Sequence, residues 1–282
     1  MSESLDLLVR LLDLEAIEVN MFRGVQPDEE RQRVFGGQVA AQALMAAGRT
    51  VAHGRVHSLH SYFLRPGDPA VPILYEVDRI RDGRSFTTRR VVAVQHGRAI
   101  FNLSTSFHDE EPGLEHQFPM PEVPDPETLP SLNERLEPYK ERLGDWFDRS
   151  RPIDQRHIGE LPWLRNAPGE PFQRLWIRAD GELPDDPLLH ACVAAYASDM
   201  SLFDAMLQPH GVRWDDPRFV MGASLDHCMW FHRAFRADEW LLFDMDSPVT
   251  SGARGLSRGF FFDRSGRLVV SMVQEGLARM RQ

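Results

Sequence analysis

Residues 189–208 read LHACVAAYASDMSLFDAMLQ, and this stretch decides the fold that we expect for the chain. It predicts one helix, which Pro209, His210 and Gly211 would end. Apolar residues surround that helix, with Val193, Tyr196 and Met200 on one side and Cys192, Ala195, Phe203 and Met206 on another. A helix that is apolar all round is buried on all sides. A sheet wrapped around the helix would bury it in this way.

One acid, Asp199, lies within this apolar surface. On a continuous helix it would lie four residues from Ala195 and four from Phe203, on the face that they share. A carboxylate there is costly to bury unless it is hydrogen-bonded, and such groups often carry a function. From the spacing alone, a catalytic acid and a paired structural acid are equally good interpretations of Asp199.

The first part of the chain has a similar plan. Residues 36–50 (GGQVAAQALMAAGRT) predict a helix without any acid. Strands are predicted near 56–64, 71–80, 85–96 and 98–107, and the turn signals between them include Asp82-Gly83 and His96-Gly97. Only the second half therefore has a helix that could perform acid–base chemistry.

The second half repeats this order, with strands predicted near 219–232, 239–249, 254–262 and 267–276. HSLHSYFLRP at 57–66 matches ASLDHCMWFHRA at 223–234, and HGRAIFNLSTSF at 96–107 matches SGRLVVSMVQEG at 265–276. Self-similarity of this kind indicates a duplicated unit. We expect an α+β chain of two tandem domains, each a helix wrapped by an antiparallel sheet.

The proposed boundaries follow from composition. The N-terminal domain would span 1–112 and the C-terminal domain 151–282, joined by a linker at 113–150. Residues 109–135 are acidic and rich in proline, as linkers often are, and 134–148 predict a short helix. Residues 163–187 are interrupted by proline and glycine, so no strand is predicted there.

Bulk properties limit the function. Of 282 residues 42% are hydrophobic and 26% are charged, and the net charge of −10 argues against a nucleic-acid-binding face. No apolar run reaches the roughly 18 residues of a membrane span. Cys192 and Cys228 are read as buried thiols. The acidic first residues do not resemble a secretory signal and the last ones are not Ser-Lys-Leu, so a cytoplasmic location is expected.

Six segments carry the most specific signal. They read VFGGQVAAQAL (34–44), HSLHSYFLRPGD (57–68), RDGRSFTTRRVVAVQHGRAIF (81–101), SDMSLF (198–203), SLDHCMWFH (224–232) and SMVQEGLAR (271–279). In this order, over nearly the whole chain, they resemble the acyl-CoA thioesterase II family of bacterial cytoplasm and peroxisomes. The resemblance implies a double hotdog fold, hydrolysis of medium- to long-chain acyl-CoA, and a homo-oligomer, either dimer or tetramer.

The same resemblance implies a catalytic set of Asp, Thr or Ser, and Gln, which maps onto Asp199, Ser224 and Gln274. Relatives commonly have Thr at the position of Ser224, and the hydroxyl is kept. Thioester hydrolysis needs an activated water and donors for the developing oxyanion. A carboxylate can accept the proton of the water, while a hydroxyl and an amide fix its orientation. No metal or cofactor is implied.

The oxyanion donor is expected at the start of the first helix, where backbone N–H groups are unpaired. Gly36, Gly37 and Gln38 open this helix, and we expect them to face Asp199 across the domain junction. Gly37 and Gln38 are therefore candidates for oxyanion or substrate binding, and His60 is a further candidate. His57 and His60 would point to opposite faces of a strand, which makes a metal pair there a poor interpretation.

Two other functions stay open at this point. Asp185 and His190 partly match the Asp-x-Asn-Pro-x-His motif of hotdog hydratases, although the Asn is absent; crotonyl-CoA would test that activity. A hotdog protein that binds acyl-CoA without turnover is the second alternative, and tight binding without hydrolysis would support it.

Overall fold

The computed structural model describes residues 2–27, 32–144, 147, 151–165 and 167–281. The N-terminal part consists of α1 (Glu3–Leu12), β1 (Glu15–Glu18), β2 (Met21–Gly24), α2 (Gly36–Gly48), β3 (Arg55–Phe63), β4 (Ile73–Asp82), β5 (Phe86–Gln95) and β6 (Arg98–His108). The middle of the chain contains α3 (Leu132–Leu136) and α4 (Lys140–Leu143). The C-terminal part consists of β7 (Ile153–Ile158), β8 (Phe172–Ala179), α5 (Pro187–Ser198), α6 (Leu202–Leu207), β9 (Phe219–Ser224), β10 (Asp226–Phe231), β11 (Leu241–Ser251), β12 (Arg254–Asp263) and β13 (Leu268–Met280).

All thirteen of these strands join one antiparallel sheet. Its order is β1-β2-β4-β5-β6-β3-β10-β13-β12-β11-β8-β7, with β9 paired to β13 outside this path. The two halves meet where β3 pairs with β10, and Cys228 there lies opposite His60. The predicted turn at His96-Gly97 joins β5 to β6, and both residues have positive φ, as a tight two-residue hairpin requires.

The two long helices, α2 and α5, lie inside this sheet. Every residue from Gly37 to Ala47 is buried, and so is every residue from Leu189 to Ser198. Asp186 caps α5, since its side chain accepts a hydrogen bond from the backbone N–H of Leu188, and Pro187 occupies the first turn. The helices run in opposite directions, so each end of α2 meets the opposite end of α5. These findings confirm the double hotdog fold.

The prediction of one helix over 189–208 is wrong. Helix α5 ends at Ser198, Asp199 is its C-cap, and α6 begins at Leu202. The hydroxyl of Ser198 donates to the backbone carbonyl of Ala195, and the carboxylate of Asp199 accepts a hydrogen bond from Ser224 of β9. These side-chain hydrogen bonds compete with continuation of the helix. Asp199 therefore ends a buried helix instead of lying in the middle of one.

Other predicted elements also differ. Residues 219–232 form two strands, because Leu225 between them donates its N–H to Glu275 and accepts one from Phe63. Strand β8 lies within 163–187, where no strand was predicted, and β7 and α1 were not predicted either. A single helix was predicted over 134–148; the described part of that range contains the end of α3 and all of α4, and residues 145, 146 and 148 lie outside the described residues. The domain boundaries at 112 and 150 stay predictions.

Candidate active site

The carboxylate of Asp199 is the centre of a hydrogen-bonded cluster at the junction of the two halves. The hydroxyl of Ser224 donates to Asp199 Oδ1 at 3.1 Å, and Gln274 Nε2 donates to the same oxygen at 2.6 Å. Gln274 is buried, whereas Asp199 and Ser224 keep part of their surface exposed. The three predicted catalytic residues are thus brought together by the fold.

Strand pairing places the two donors. Strand β13 carries Gln274, and two residues further along the same strand Gly276 lies opposite Ser224 of β9. On its other side Gln274 lies opposite Ser257 of β12, so it sits within the sheet instead of at an edge. Both donors therefore rest on a fixed backbone, which limits how far the carboxylate can move.

The start of α2 closes the other side of the cluster. A Cβ atom added to Gly36 would lie 2.7 Å from Asp199 Oδ2, so only glycine leaves room for the carboxylate. The backbone N–H of Gly37 donates a hydrogen bond to Asp199. A Cβ atom on Gly37 would lie 2.6 Å from the backbone oxygen of Tyr196 in α5. The predicted contact between Gly36-Gly37 and Asp199 is therefore present.

Burial sets the acidity of this carboxylate. Loss of solvent raises the pKa of Asp199 from 3.8 to about 6, although hydrogen bonds from Gln274, Ser224 and Gly37 and the charge of Arg33 oppose the shift. A carboxylate with a pKa near 6 is largely ionised at neutral pH and is a stronger base than an exposed aspartate. The site thus has a suitably tuned proton acceptor.

A second layer of polar contacts holds the end of α5 in place. Ser198, next to Asp199, is fully buried, and its hydroxyl lies 2.8 Å from Nε2 of His227. Burial lowers the pKa of His227 to about 4, so its ring is neutral at physiological pH. His227 is in β10, and this contact ties the helix end to the strand that follows Ser224.

Asp204 is a second buried acid, in α6. Desolvation also raises its pKa to about 6, but the indoles of Trp163 and Trp214 donate to its two oxygens at 3.1 and 2.8 Å. Each oxygen thus has a partner from a different loop, which is the environment of a structural acid. Burial and pKa alone would not separate Asp204 from Asp199; their partners do.

Two other candidates lie elsewhere. The side chain of Gln38 is buried and donates to Gln26 at 3.0 Å, so it secures the loop before α2 instead of reaching Asp199. His60 is exposed on the outer face of β3, where its ring contacts Trp230 edge to face, with 5.3 Å between the ring centroids. Leu59 and Ser61, its neighbours in the strand, point inward, so the alternation of the strand directs His60 away from the site.

Arg33 is a site residue that the sequence reasoning missed. Its guanidinium donates to the backbone carbonyl of Gly222 at 2.9 Å, and its charge lowers the pKa of Asp199. Arg33 lies in the loop before α2 and Gly222 lies in β9, so this bond joins the two sides of the cluster. Nothing in the local sequence distinguishes Arg33 from other loop arginines.

No helix in the described parts of the chain is both long and apolar enough to cross a membrane. The arrangement as a whole offers a general base, two polar side chains that could orient water, and a backbone donor at a helix start. This is sufficient chemistry for hydrolysis of an activated acyl group.

Comparisons with known proteins agree with this chemistry. The model of an acyl-CoA thioesterase N-terminal domain matches residues 26–108, and the acyl-CoA thioesterase model matches residues 148–277. The chain is 40% identical to human acyl-coenzyme A thioesterase 8, over 98% of this chain and 89% of the human protein. It is 37% identical to acyl-CoA thioesterase 2 of Haemophilus influenzae over the full length of both.

Among solved structures, the crystal structure of the acyl-CoA thioesterase II TesB2 from Mycobacterium marinum superposes with a TM-score of 0.80. The two sequences are 42% identical, over 98% of this chain and 99% of the other. The chain therefore belongs to the acyl-CoA thioesterase family and is a thioester hydrolase that acts on acyl-CoA.

Proposed function

We propose that the protein hydrolyses medium- to long-chain fatty acyl-CoA to a free fatty acid and CoA, with Asp199 as general base. The observation that carries this proposal is the convergence of Ser224, Gln274 and the Gly37 N–H on one partly buried carboxylate. Such convergence restricts the carboxylate to one orientation. A general base needs a fixed orientation because it must accept a proton from a water molecule in a defined geometry.

The reaction would proceed in two steps. Asp199 takes a proton from water as the oxygen bonds to the thioester carbon, and the Gly37 N–H, released from Asp199, donates to the developing oxyanion. The C–S bond then breaks as the carbonyl re-forms, and the proton held by Asp199 passes to the sulfur of CoA. Ser224 and Gln274 orient the carboxylate and the water, so no covalent enzyme intermediate is needed.

The test is release of free CoA from acyl-CoAs of increasing chain length, with Asp199→Asn beside the wild type. The substitution keeps the shape of the side chain and removes the base, so we expect a loss in kcat of roughly a hundredfold or more. Asp204→Asn is the matched control, because it changes a buried acid of similar pKa and should keep activity within a few-fold of the wild type.

Two outcomes would contradict the proposal. Equal losses in Asp204→Asn and Asp199→Asn would point to a structural effect of removing a buried charge. Hydration of crotonyl-CoA without CoA release would instead support the hydratase alternative. A maximum for acyl chains of two to four carbons would overturn the chain-length part alone.

We further propose that the protein is a cytoplasmic homo-oligomer, either a dimer or a tetramer. Exposed apolar side chains beside the turn between β4 and β5 support an interface, namely Ile80 on β4 and Phe86 on β5. Light scattering coupled to gel filtration gives the mass of the particle. A mass of one chain, 32.3 kDa, would contradict the oligomer.

A further inference from the structure

One cavity among the described residues lies far from Asp199, at the opposite end of α5. It encloses about 300 Å³ between the first turn of α5 and strands of both halves. That volume is at the lower end of the range for ligand pockets. About 12 residues of α5 separate it from Asp199, which corresponds to roughly 18 Å along the helix. It is therefore a separate site from the catalytic cluster.

The position of this cavity follows from the duplication. At the catalytic junction the start of α2 meets the end of α5, and at the cavity the start of α5 lies near the end of α2. A Cβ atom on Gly48, at the end of α2, would lie 2.4 Å from the side chain of Leu188 at the start of α5. The cavity thus lies at the start of α5, at the end of the helix pair that is opposite the catalytic cluster.

The wall of the cavity contains a hydrogen-bond donor without a partner among the described residues. His190 is 3% exposed and lines the cavity. Its Nδ1 accepts a hydrogen bond from the backbone N–H of Ala237 at 3.0 Å, so the proton of the neutral ring is on Nε2. That Nε2 is buried and has no hydrogen-bond partner within the described parts of the chain. A buried N–H left unpaired is costly, and a bound carbonyl or phosphate oxygen would satisfy it.

Four arginines line the cavity, and each of them has an acidic partner. They are Arg55, Arg233, Arg236 and Arg267, and the acids Asp185 and Glu239 line the cavity as well. Arg236 pairs with Asp238 at 2.9 Å, and Arg267 pairs with Asp263 at 2.7 Å. Further glutamates, Glu110 and Glu115, face Arg55 and Arg233 at 3.8 Å and are 85% and 82% exposed. Exposed pairs of this kind contribute little stability, so a phosphate group can replace them. Apolar residues such as Phe231 and Phe235 form other parts of the wall.

We propose that this cavity is a second binding site for CoA and its thioesters, one that binds without hydrolysis. The phosphates of CoA would bind Arg55 and Arg233, the pantetheine arm would enter the apolar part, and one of its amide carbonyls would accept from His190 Nε2. Both ends of the helix pair would then bind the same class of ligand, and hydrolysis would take place only at the end that has Asp199.

Calorimetric titration of the whole protein with the S-dodecyl thioether of CoA tests this, because the thioether cannot be hydrolysed. Wild type and Asp199→Asn should each bind two molecules per chain. The double variant Arg55→Glu/Arg233→Glu should bind one at the original affinity and the other more than about tenfold more weakly. Its kcat/KM at low substrate should stay within about twofold of the wild type, which also shows that it is folded.

A matched control has the same charge change elsewhere. Arg79→Glu/Arg98→Glu reverses two exposed arginines that do not line the cavity, and it should still bind two molecules. Ala234→Trp places a bulky group at the exposed edge of the cavity and should remove the second site without any change in charge. One bound molecule in the wild type, or two at unchanged affinity in Arg55→Glu/Arg233→Glu, would overturn the proposal. Two bound molecules without turnover would instead contradict the catalytic proposal alone.

Discussion

The two ends of the α2–α5 helix pair have the same arrangement and different side chains. At the catalytic end, Gly36 and Gly37 begin one helix and Asp199 ends the other. At the second end, Leu188 lies at the start of one helix and packs against Gly48 at the end of the other. In each case a glycine allows close approach, but the approaching group is a carboxylate in one and an isobutyl group in the other.

This difference shows how a duplicated fold can limit catalysis to one site. The backbone provides two helix starts facing two helix ends, and a few side chains decide which of them has a base. The lining residues follow the same division. Ser224 and Gln274 have polar groups aimed at Asp199, whereas the cavity at the second end is lined by ion-paired arginines, two acids and a neutral histidine. Substitutions at equivalent places should therefore have unequal effects.

The largest expected difference is between Gly36→Ala and Gly48→Ala. At Gly36 the new methyl group would lie 2.7 Å from Asp199 Oδ2, and the base would have to move. Because a displacement of about 1 Å can cost about a hundredfold in rate, kcat should fall by that factor. At Gly48 the methyl group meets the end of the Leu188 side chain, so the cost is in stability, about 1–3 kcal/mol, and kcat should remain.

Steady-state assays and thermal unfolding of both variants separate these effects. A loss of stability without a loss of kcat in Gly36→Ala would show that the carboxylate tolerates the methyl group. Equal losses of kcat in the two variants would mean that the helix pair acts as one unit and that the two ends are not functionally distinct.

Ser224 allows a smaller test of the catalytic end. Removing its hydroxyl in Ser224→Ala takes away one hydrogen bond to a charged group, a contribution of about 1.5–3 kcal/mol, so kcat/KM should fall by about tenfold or more. Ser224→Thr keeps the hydroxyl and should stay within a few-fold of the wild type. If Thr and Ala were equally impaired, the size of the residue and not its hydroxyl would be what matters.

The sequence predicted much of this end, and the parts it missed have physical reasons. Gly36-Gly37 and Asp199 were expected to face each other, and they do. The break after Ser198 was missed because apolar residues continue beyond it, and the partners that hold Asp199 lie 25 and 75 residues away along the chain. Contacts at that separation leave no local pattern.

Strand β7 was missed for a different reason. Its inward positions are Ile153, Gln155 and His157, two of them polar, so the alternation of apolar and polar residues is hidden. The amide of Gln155 lies 3.3 Å from His157, which explains how polar side chains are tolerated inside. These residues form a strand because they pair with β8 at the far edge of the sheet, and not because of their local propensity.

The pH dependence of kcat/KM measures the catalytic carboxylate directly. Asp199 acts in its ionised form, so the rate should rise with pH, reach half its plateau near pH 6, and fall about tenfold per unit well below that. Arg33→Lys keeps the positive charge and should leave this midpoint unchanged. Arg33→Met removes the charge that lowers the pKa of Asp199, so the midpoint should move to higher pH. A midpoint near 4 in the wild type would mean that the carboxylate is not desolvated.

The smallest expected effect is the change in stability in Asp199→Asn. Its sign distinguishes an acid that is kept for catalysis from one that stabilises the fold. The folded-state pKa of Asp199 lies near 6 and the unfolded value is 3.8, so between these values the folded protein binds more protons and its stability falls as pH rises. Above about pH 6 the ionised group costs up to about 3 kcal/mol. Asp199→Asn should therefore unfold at a temperature about 2–6 °C higher than the wild type at pH 7.5, and this difference should vanish near pH 4. Differential scanning fluorimetry at both pH values measures it. A variant that unfolds at a lower temperature at pH 7.5 would show that the hydrogen bonds from Ser224 and Gln274 outweigh the cost of burying the charge.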